Sequence, residues 1–471
     1  MFLGKDDRMK RILLLILALL FCACALAETP DGFSFTGGSG KVTISCDSVT
    51  VGEDGQAYAE IVFSSPHYGY VKVDGETIYG TNTDTESIFT IPVSLNADTA
   101  IVGMTTAMSA PHEIEYTIRV ELGEAETLPG LTYERGMRTR YATEFSVDYY
   151  SGGYKLITVS GGARYLIVPE GMDAPDGLDD SIRVIRQPLQ NVYLAASSAM
   201  ALFGAVDAID VITLSGTDRD GWYIEDAQAA MDAGTMVYAG KYSEPDYELL
   251  VKSDCPLAIE STMILHTPKV QEMLEMLGIT VFIDRSSYET HPLGRTEWVK
   301  LYAAMLNRED EAEAFFDEQV QVIDELKDFE NTEKTVAFFY ISSDGSVVVR
   351  ASNDYIAKMI ELAGGRYVFS DLTDPDSSRS SVSITMEEFY AAAADADYLI
   401  YNAAIDSPVD TLAELTAKDS LLADFKAVKE GNVWCTGKYL YQATDIVGNL
   451  ITDINHMLTG AEEMTFLRKL A

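Results

Sequence analysis

The stretch from Ser286 to Phe329 most constrains how this chain can fold. It begins as a polar loop around Pro292-Leu293-Gly294 and then carries apolar residues at three- and four-residue steps. This spacing is typical of a helix with one buried stripe. Asn307 followed by Asp310 predicts an internal helix N-cap, so we expect two consecutive helices with a break at that point. Alternating strands and helices flank the stretch, which is therefore either a core helix or a rigid strut between two α/β halves.

Length and charge limit the classes of protein that the chain can be. Its 471 residues suffice for two or three domains with complete cores. The formal net charge is −40. Binding to phosphate groups requires Lys and Arg, so this charge argues against nucleic acid or an anionic membrane surface as a partner.

The N-terminus has the pattern of a targeting segment. A basic region precedes the apolar run at residues 12–21, and Ala25-Leu26-Ala27 forms a small-x-small cleavage site before Glu28. We therefore predict a signal peptide over residues 1–27. The alternative is a lipoprotein with Cys24 as its lipid-modified residue. Both predictions place the mature protein outside the cytoplasmic membrane, either extracellular or periplasmic, or anchored to that membrane by a lipid.

Residues 30–122 read as short alternating strands separated by turn residues, which predicts a β-sandwich module. Residues 123–140 are expected to form a polar linker. The strand rhythm is similar to that of near-iron-transporter modules, and this resemblance implies haem binding at one end of the sandwich. The residues that would gather there are His67, Tyr68, Tyr70, Met104, Met108 and His112. The other interpretation makes them turn and rim residues of a spacer or protein-binding module.

From residue 141 the pattern changes to strands alternating with helices, which predicts largely parallel sheets covered on both faces. A β-hairpin is expected through Ser160-Gly161-Gly162, and an apolar helix is expected from Val192 to Phe203. The alternation of predicted strands and helices begins again after Phe329. We therefore predict an α/β fold with an N-terminal lobe over 141–292, interlobe helices over 293–329 and a C-terminal lobe over 330–471.

Motifs for catalysis and metal binding are missing from the sequence. The mature chain has no G-x-S-x-G, H-E-x-x-H or C-x-x-C pattern, and its five histidines lack metal-ligand spacing. Cys46, Cys255 and Cys435 are far apart in sequence and odd in number, so we expect them to be small buried residues. These patterns predict neither an enzyme nor a resident cofactor or metal.

The order of elements after residue 141 resembles that of the helical-hinge substrate-binding proteins of ABC importers for iron–siderophore, haem or cobalamin complexes. The resemblance rests on the order and spacing of several local patterns around the central helix. These are Gly240 to Leu250, Leu277 to Phe282, Asp354 to Gly365, Thr385 to Tyr390 with Asp397 to Ile400, and Phe425 to Val428 with Val433-Trp434. It implies two lobes joined by a long helix and a largely preformed cleft between them.

The resemblance also implies a permease partner and a transported metal complex. Family members dock on permease arginines through one exposed glutamate per lobe. The matching positions are Glu248 in Pro245-Asp-Tyr-Glu248 and Glu387 in Thr385-Met-Glu387, with Glu388 as an adjacent substitute. The alternative interpretation involves no partner: these acids stabilise their own helices, because a negative charge near a helix N-terminus interacts favourably with the helix dipole.

Cleft candidates come from loops at strand ends and from the loop that enters the central helix. Aromatic rings offer flat contact area to a macrocycle or chelate, and arginine pairs with anionic oxygens. The predicted ligand-binding residues are Gln190, Asn191, Tyr193, Trp222, Tyr223, Glu260, Tyr288, Glu289, His291, Arg295, Arg350, Tyr355, Asn402 and Tyr441.

Two other functions stay open at this point. One is a surface haem-capture or adhesion protein that binds through its N-terminal β-module. The other is a secreted two-lobe α/β enzyme.

Overall fold

The structure is a computed structural model. It describes residues 27–28, 30, 32–38, 42–51, 56–83, 85–107, 111–121, 126–137, 139–324, 326, 329, 331–372, 380–461 and 463–471. The predicted signal peptide lies outside these residues except for Ala27, and so do Cys24 and Met108. Among the described residues, no helix has the length and apolar character needed to cross a bilayer. The chain forms two compact units, residues 1–138 with 148–152 and residues 139–147 with 153–471.

The first unit contains two five-stranded sheets that pack on one core. Their strand orders are β1-β3-β4-β8-β7 and β2-β10-β9-β5-β6, and neighbouring strands pair antiparallel. The strands are β1 (Ala27–Glu28), β2 (Gly32–Gly37), β3 (Ile44–Val51), β4 (Ala57–Phe63), β5 (Tyr68–Val73), β6 (Glu76–Ile78), β7 (Thr81–Asn82), β8 (Ser87–Val93), β9 (Asp98–Thr105) and β10 (His112–Glu121). The predicted β-sandwich is therefore present.

Aromatic side chains fill the centre of the sandwich. Phe63 stacks on Tyr68 with 4.2 Å between ring centroids and meets Phe89 edge-on at 5.8 Å. The Tyr68 and Tyr116 hydroxyls are 2.6 Å apart, so each polar tip has a partner inside the core. After the sandwich, β11 (Tyr133–Gly136) pairs with Asp148–Tyr150 of β12 (Phe145–Tyr150), and the region predicted as a plain linker thus contains a strand.

The second unit begins with β13 (Tyr154–Val159) and β14 (Ala163–Val168), which form the predicted antiparallel hairpin, and β14 pairs in parallel with β15 (Ile182–Arg186). A five-stranded sheet in the order β18-β17-β16-β21-β22 follows, and all of its pairings are parallel. Its strands are β16 (Val192–Leu194), β17 (Ile212–Ser215), β18 (Val237–Tyr238), β21 (Leu257–Ser261) and β22 (Thr280–Asp284), with a small hairpin of β19 (Gly240–Lys241) and β20 (Glu244–Pro245) between them.

The C-terminal lobe has a seven-stranded sheet in the order β26-β24-β23-β27-β28-β29, with β25 beside β23. Its centre, β23-β27-β28, is parallel, and antiparallel strands lie at its edges. The strands are β23 (Thr335–Ile341), β24 (Val347–Arg350), β25 (Arg366–Tyr367), β26 (Ser381–Ile384), β27 (Tyr398–Tyr401), β28 (Val433–Thr436) and β29 (Leu467–Lys469). The predicted two-lobe α/β architecture is confirmed.

Eleven α-helices of the described residues cover and connect these sheets. They are α1 (Met200–Ala205), α2 (Glu225–Asp232), α3 (Tyr247–Lys252), α4 (Pro268–Met276), α5 (Pro292–Leu306), α6 (Glu309–Asp324), α7 (Tyr355–Leu362), α8 (Met386–Ala393), α9 (Leu412–Lys418), α10 (Lys426–Glu430) and α11 (Val447–Thr459). The helix predicted from Val192 to Phe203 is wrong in its first part. Val192–Leu194 pairs between two parallel strands, because β-branched and aromatic residues in a short buried run fit a central strand.

Helix α5 is buried on every side rather than along one stripe. Fourteen of its fifteen residues are buried, and they include Arg295, Glu297 and Lys300. It contacts α1 of the N-terminal lobe as well as α7 and α11 of the C-terminal lobe. The predicted single stripe was therefore wrong for α5, because a helix between two lobes has no solvent face.

The predicted break between the helices lies at Asn307, but this residue ends α5 instead of capping α6. Asn307 adopts the left-handed conformation with φ 59°, which Asn tolerates better than most residues. The Lys155 ammonium donates to the Ala304 carbonyl oxygen (2.7 Å), to Asn307 Oδ1 (2.7 Å) and to Glu309 Oε1 (2.5 Å). A cation from β13 thus satisfies the C-terminus of α5, where positive charge is favoured.

Two buried glutamates fix the segment 140–144 against α5. Glu297 accepts from the backbone N–H groups of Arg140, Tyr141 and Ala142 at 2.7–2.9 Å. Glu289 accepts from the N–H groups of Thr143 and Glu144 at 2.9–3.0 Å and from the Trp298 indole N–H at 3.0 Å. Each carboxylate replaces its lost hydration with several donors, which is the condition for burying a charge.

We predict that Glu297→Gln destabilises the second unit by about 3–5 kcal/mol, because a neutral amide cannot replace the buried anion that accepts from the donors of segment 140–144. Lys300 Nζ lies 3.2 Å from Glu297 Oε1. Urea unfolding monitored by circular dichroism measures the change. The control is Glu311→Gln on the exposed first turn of α6, which should stay within about 0.5 kcal/mol of wild type. An equally small loss in Glu297→Gln would contradict the role of this carboxylate.

Candidate functional site

The side chain of Gln442 forms hydrogen bonds between the two lobes of the second unit. Gln442 Oε1 accepts from the Tyr223 N–H and Gln442 Nε2 donates to the Gly221 carbonyl oxygen, each at 2.8 Å. Gly221 and Tyr223 follow the carboxyl end of β17, and Gln442 follows the carboxyl end of β28. Ligands of parallel sheets bind outside the carboxyl ends of the strands. This contact therefore marks the interlobe cleft.

Five of the predicted ligand-binding residues come together at this side of the C-terminal lobe. The Tyr441 hydroxyl accepts a hydrogen bond from Asn402 Nδ2 (2.7 Å) and another from the Arg350 guanidinium. The Arg295 guanidinium lies 3.9 Å above the Tyr355 ring centroid. The two groups are adjacent, because Arg350 Nε lies 3.9 Å from Asp354 Oδ1 and Asp354 directly precedes Tyr355. We call Arg295, Arg350, Tyr355, Asn402 and Tyr441 the arginine cluster.

Burial shapes the electrostatics of the arginine cluster. It raises the pKa of Tyr355 to about 12 and also raises the pKa of Tyr441, so both phenols stay protonated at neutral pH. Arg350 Nε lies 3.9 Å from Asp354 Oδ1, and Asp354 caps α7 through the Ile356 N–H at 2.9 Å. The cluster therefore offers two guanidinium groups and two phenols, while one buried carboxyl offsets part of the charge.

Three contributors to this cluster were missed in the sequence. Tyr367 exchanges hydrogen bonds with the backbone of Arg350, both at 2.9 Å, and so fixes the end of β24. Asp354 was treated only as a helix start. Gln442 directly follows Tyr441, and its position after the strand Val433–Thr436 was a usable signal, because the equivalent residues after β27 were selected.

The N-terminal lobe contributes less to the cleft than was predicted. Tyr223 is exposed beside Gln442. Trp222 is fully buried, and its indole N–H donates to Ser215 Oγ at 3.0 Å, so it holds the loop from inside. The Tyr193 hydroxyl donates to the Gly240 carbonyl oxygen at 2.9 Å. Gln190 and Asn191 lie at the amino end of β16, at the opposite edge of this sheet from its carboxyl ends.

The loop that enters α5 is occupied by structural contacts. Glu289 is buried against segment 140–144. His291 caps α5 by accepting from the Leu293 N–H at 3.2 Å, and its ring stacks on Tyr141 at 4.4 Å. Burial lowers the pKa of His291 to about 4, which keeps it a neutral acceptor at pH 7. Tyr288 lies 4.3 Å beneath the Arg285 guanidinium and remains partly exposed.

Two of the six β-module residues of the haem-capture alternative are engaged elsewhere. Tyr68 lies in the core with its hydroxyl against Tyr116. The Tyr70 hydroxyl donates to Glu113 Oε1 at 2.7 Å. His67 and His112 are exposed and Met104 is half-buried. Within the described residues, no group of three or more His, Cys, Asp or Glu side chains is placed to hold a metal ion.

Glu260 is a buried carboxyl group of the N-terminal lobe. It is fully buried, and neither of its carboxyl oxygens has a hydrogen-bond partner among the described residues. Burial raises its pKa to about 8. Its carboxyl also adds to the effect of burial on the pKa of Tyr193 and Tyr247, so it lies near both phenols. The neutral acid is thus the form that the fold accommodates at pH 7.

We predict that Glu260 makes stability fall as the pH rises from about 4.5 to about 8. Over this range the folded state keeps a proton that the unfolded state releases, so unfolding is favoured by increasing pH. Glu260→Gln should remove this dependence and raise the urea midpoint at pH 8–9. The control is Glu272→Gln on the exposed face of α4. A wild-type midpoint that is flat from pH 5 to pH 9 would rule out the buried acid.

The predicted docking glutamates occupy matching places in the two lobes. Glu248 and Glu387 are each the second residue of a helix, follow the caps Asp246 and Thr385, and are exposed. Glu388 is different, because its carboxylate closes a capping box with the Thr385 N–H at 2.8 Å, and this contact lowers its pKa. Glu387 is therefore the available carboxylate on α8.

A fold of two α/β lobes around a connecting helix, with polar residues gathered where the lobes meet, defines a two-lobed binding protein. Comparison with known families agrees, since residues 206–440 match the model described as "Periplasmic binding protein". Residues 206–440 thus form a periplasmic binding protein domain, which confirms the predicted recognition and fold class. The family is one of binding proteins, and the chain is accordingly not an enzyme.

Individual proteins give further similarities. An uncharacterised lipoprotein of Methanocaldococcus jannaschii is 29% identical over 356 residues, which cover 72% of this chain and 82% of that protein. A second uncharacterised lipoprotein of the same organism is 26% identical over 366 residues, or 75% of this chain and 90% of that protein. The solved structure of a periplasmic heme binding protein of Vibrio cholerae is 16% identical and has a TM-score of 0.46. The match covers 56% of this chain and 98% of the Vibrio cholerae chain.

Proposed function

We propose that the chain is the extracytoplasmic substrate-binding component of an ABC importer and that it captures a metal complex between its lobes. The ligand class is an iron chelate, a haem or a corrinoid. The observation that carries the proposal is the arginine cluster beside the interlobe contact, in a chain with a periplasmic binding protein domain. Its guanidinium groups and phenols suit a ligand with anionic oxygens and a flat apolar surface.

Charge and packing favour a preassembled complex over a bare metal ion. A bare cation needs clustered carboxylate or imidazole ligands, whereas the arginine cluster brings cations and neutral donors. Buried guanidinium groups act on an anion through short charge-assisted hydrogen bonds in a weakly solvated site. The interlobe helix α5 supplies Arg295, so a ligand at the cluster would contact both the hinge and a lobe.

Location and anchoring belong to the same proposal. The sequence predicts export, and the two Methanocaldococcus jannaschii relatives are named lipoproteins. A lipid on Cys24 would hold the protein beside its permease. A freely secreted form is the alternative that the predicted cleavage after Ala27 supports.

We predict that Arg350→Lys weakens binding of the transported ligand roughly 10- to 100-fold, because a point charge cannot replace the forked donors of guanidinium. Isothermal titration with haemin, cyanocobalamin and a ferric trihydroxamate chelate identifies the ligand, and the variant is then titrated with it. Arg366→Lys, an exposed arginine of the same lobe, is the matched control. If wild type binds none of the three complexes, the ligand class is wrong. Equal affinity of Arg350→Lys and wild type would exclude this arginine from the site.

We predict that the double variant Glu248→Lys and Glu387→Lys binds ligand normally but abolishes uptake, because reversed charges repel the permease arginines that the family resemblance implies. Transport into proteoliposomes that contain the permease, measured with labelled ligand, separates the two effects. Glu225→Lys with Glu430→Lys, two exposed glutamates elsewhere on the same lobes, serves as the charge-matched control. Unimpaired transport by the first double variant would refute docking through these carboxylates.

A further inference from the structure

Gln442 connects the lobes through both halves of its amide group. Its oxygen accepts from Tyr223 and its nitrogen donates to Gly221, at 2.8 Å each, and its side chain is almost fully buried. A glutamine that uses donor and acceptor together on two backbone groups is specific in position and in orientation. We call these two hydrogen bonds the Gln442 bridge.

The backbone that receives the bridge is fixed from within the N-terminal lobe. Asp218 accepts from the Gly221 N–H at 2.8 Å, and the Trp222 carbonyl oxygen accepts from Gln228 Nε2 at 2.6 Å. The Trp222 indole is held by Ser215. A Cβ atom on Gly221 would lie 2.8 Å from Thr217 Cγ2, so the loop closes tightly at this glycine. The acceptor and the donor that Gln442 meets are therefore set in advance.

The C-terminal side of the bridge is continuous with the arginine cluster. Gln442 ends the short 3₁₀ turn Lys438–Tyr441, and its N–H donates to the Tyr439 carbonyl oxygen at 2.7 Å. The preceding residue, Tyr441, is held by Asn402 and Arg350. One peptide unit therefore separates a residue of the arginine cluster from the residue that forms the bridge.

We infer that Gln442 is a positioning residue for ligand capture, which sets the closed spacing of the lobes and links the arginine cluster to that spacing. The bridge contributes to the closed state only, because its partners belong to different lobes. Losing it lowers the population of that state and speeds ligand escape. The ligand part of this inference rests on the proposed function, whereas the effect on lobe spacing does not.

A packing role makes a different prediction from a hydrogen-bonding role. If Gln442 only fills space, Gln442→Leu should leave the lobes where they are. If the amide bonds matter, Gln442→Leu removes both of them, and Gln442→Glu removes the donor while setting a carboxylate against the Gly221 carbonyl oxygen. Protonating that carboxylate restores an O–H donor, so the Gln442→Glu variant should recover the wild-type spacing as the pH falls towards 4.

The first measurement is the distance between spin labels on Lys269→Cys and Lys429→Cys, which are exposed positions in the two lobes. Cys255 and Cys435 are buried, and burial raises the pKa of both thiols, which protects them from the labelling reagent. Cys46 is replaced by Ser. We expect Gln442→Leu to lengthen or broaden the distance distribution at pH 7, and Gln442→Glu to do so at pH 7 but not at pH 4. Wild type and Gln321→Leu, an exposed glutamine of α6, are measured at the same pH values.

The second measurement is the dissociation rate of whichever of haemin, cyanocobalamin or the ferric trihydroxamate chelate binds wild type. Loss of two hydrogen bonds should raise this rate roughly 5- to 100-fold with little change in the association rate. Unchanged distances in folded Gln442→Leu overturn the inference, whatever binds. Changed distances with an unchanged dissociation rate overturn the link to the ligand. Failure of all three complexes to bind overturns the ligand class and leaves the distance result to decide the role of the Gln442 bridge.

Discussion

Burial of a charged helix between two lobes is the constraint on which the second unit depends. Helix α5 carries Arg295, Glu297 and Lys300 at positions without access to bulk water. Each charge must then find a partner inside the protein, since an unpaired buried charge costs several kcal/mol. Glu297 finds three backbone N–H groups and an ammonium, and Arg295 finds the face of Tyr355. Segment 140–144 of the N-terminal lobe and helix α7 of the C-terminal lobe are thereby both held against α5.

Helix α5 both limits the bending between the lobes and carries Arg295 of the arginine cluster. A hinge that must satisfy buried charges on both sides resists bending, because a bend would separate ions from their partners at low dielectric. The same requirement places Arg295 where it can face the cleft. At the C-terminal end of α5, the Lys155 ammonium donates to the Ala304 carbonyl oxygen and to the Asn307 side chain. Lobe movement must therefore be small or must use elements other than α5, and the Gln442 bridge is a contact that small movements can make and break.

Much of the fold was predictable from the sequence because it depends on local periodicity. The β-sandwich strands between residues 30 and 122, the hairpin through Gly161-Gly162 and the alternating strands and helices after residue 141 lie where their patterns indicated. The failures share one cause, which is tertiary context. Val192–Leu194 is a strand because two neighbours pair with it, and α5 is buried all round because lobes cover it on both sides. Tyr68 is likewise buried in the core of the sandwich, where its hydroxyl forms a hydrogen bond with that of Tyr116, 48 residues away in sequence.

The candidate site was less predictable than the fold for a related reason. Choosing polar and aromatic residues near strand ends selected Arg350, Asn402 and Tyr441 correctly as neighbours, since β24, β27 and β28 belong to one sheet. The same rule also selected Glu289, His291 and Trp222, because a sequence does not distinguish a polar group that faces a cleft from one that satisfies buried backbone or caps a helix.

The net charge of the chain limits the distance over which the arginine cluster can attract an anion. In a chain with a net charge of −40, the long-range field repels anions, so the pairing of two arginines within one buried cluster acts only at short range. Under the proposed function, an anionic ligand is discriminated after it enters the cleft rather than drawn towards it. Selectivity under that function comes from the fixed geometry of Arg295, Arg350 and their phenols. Arg350 and Tyr441 are fixed within the C-terminal lobe, whereas Arg295 is placed by α5.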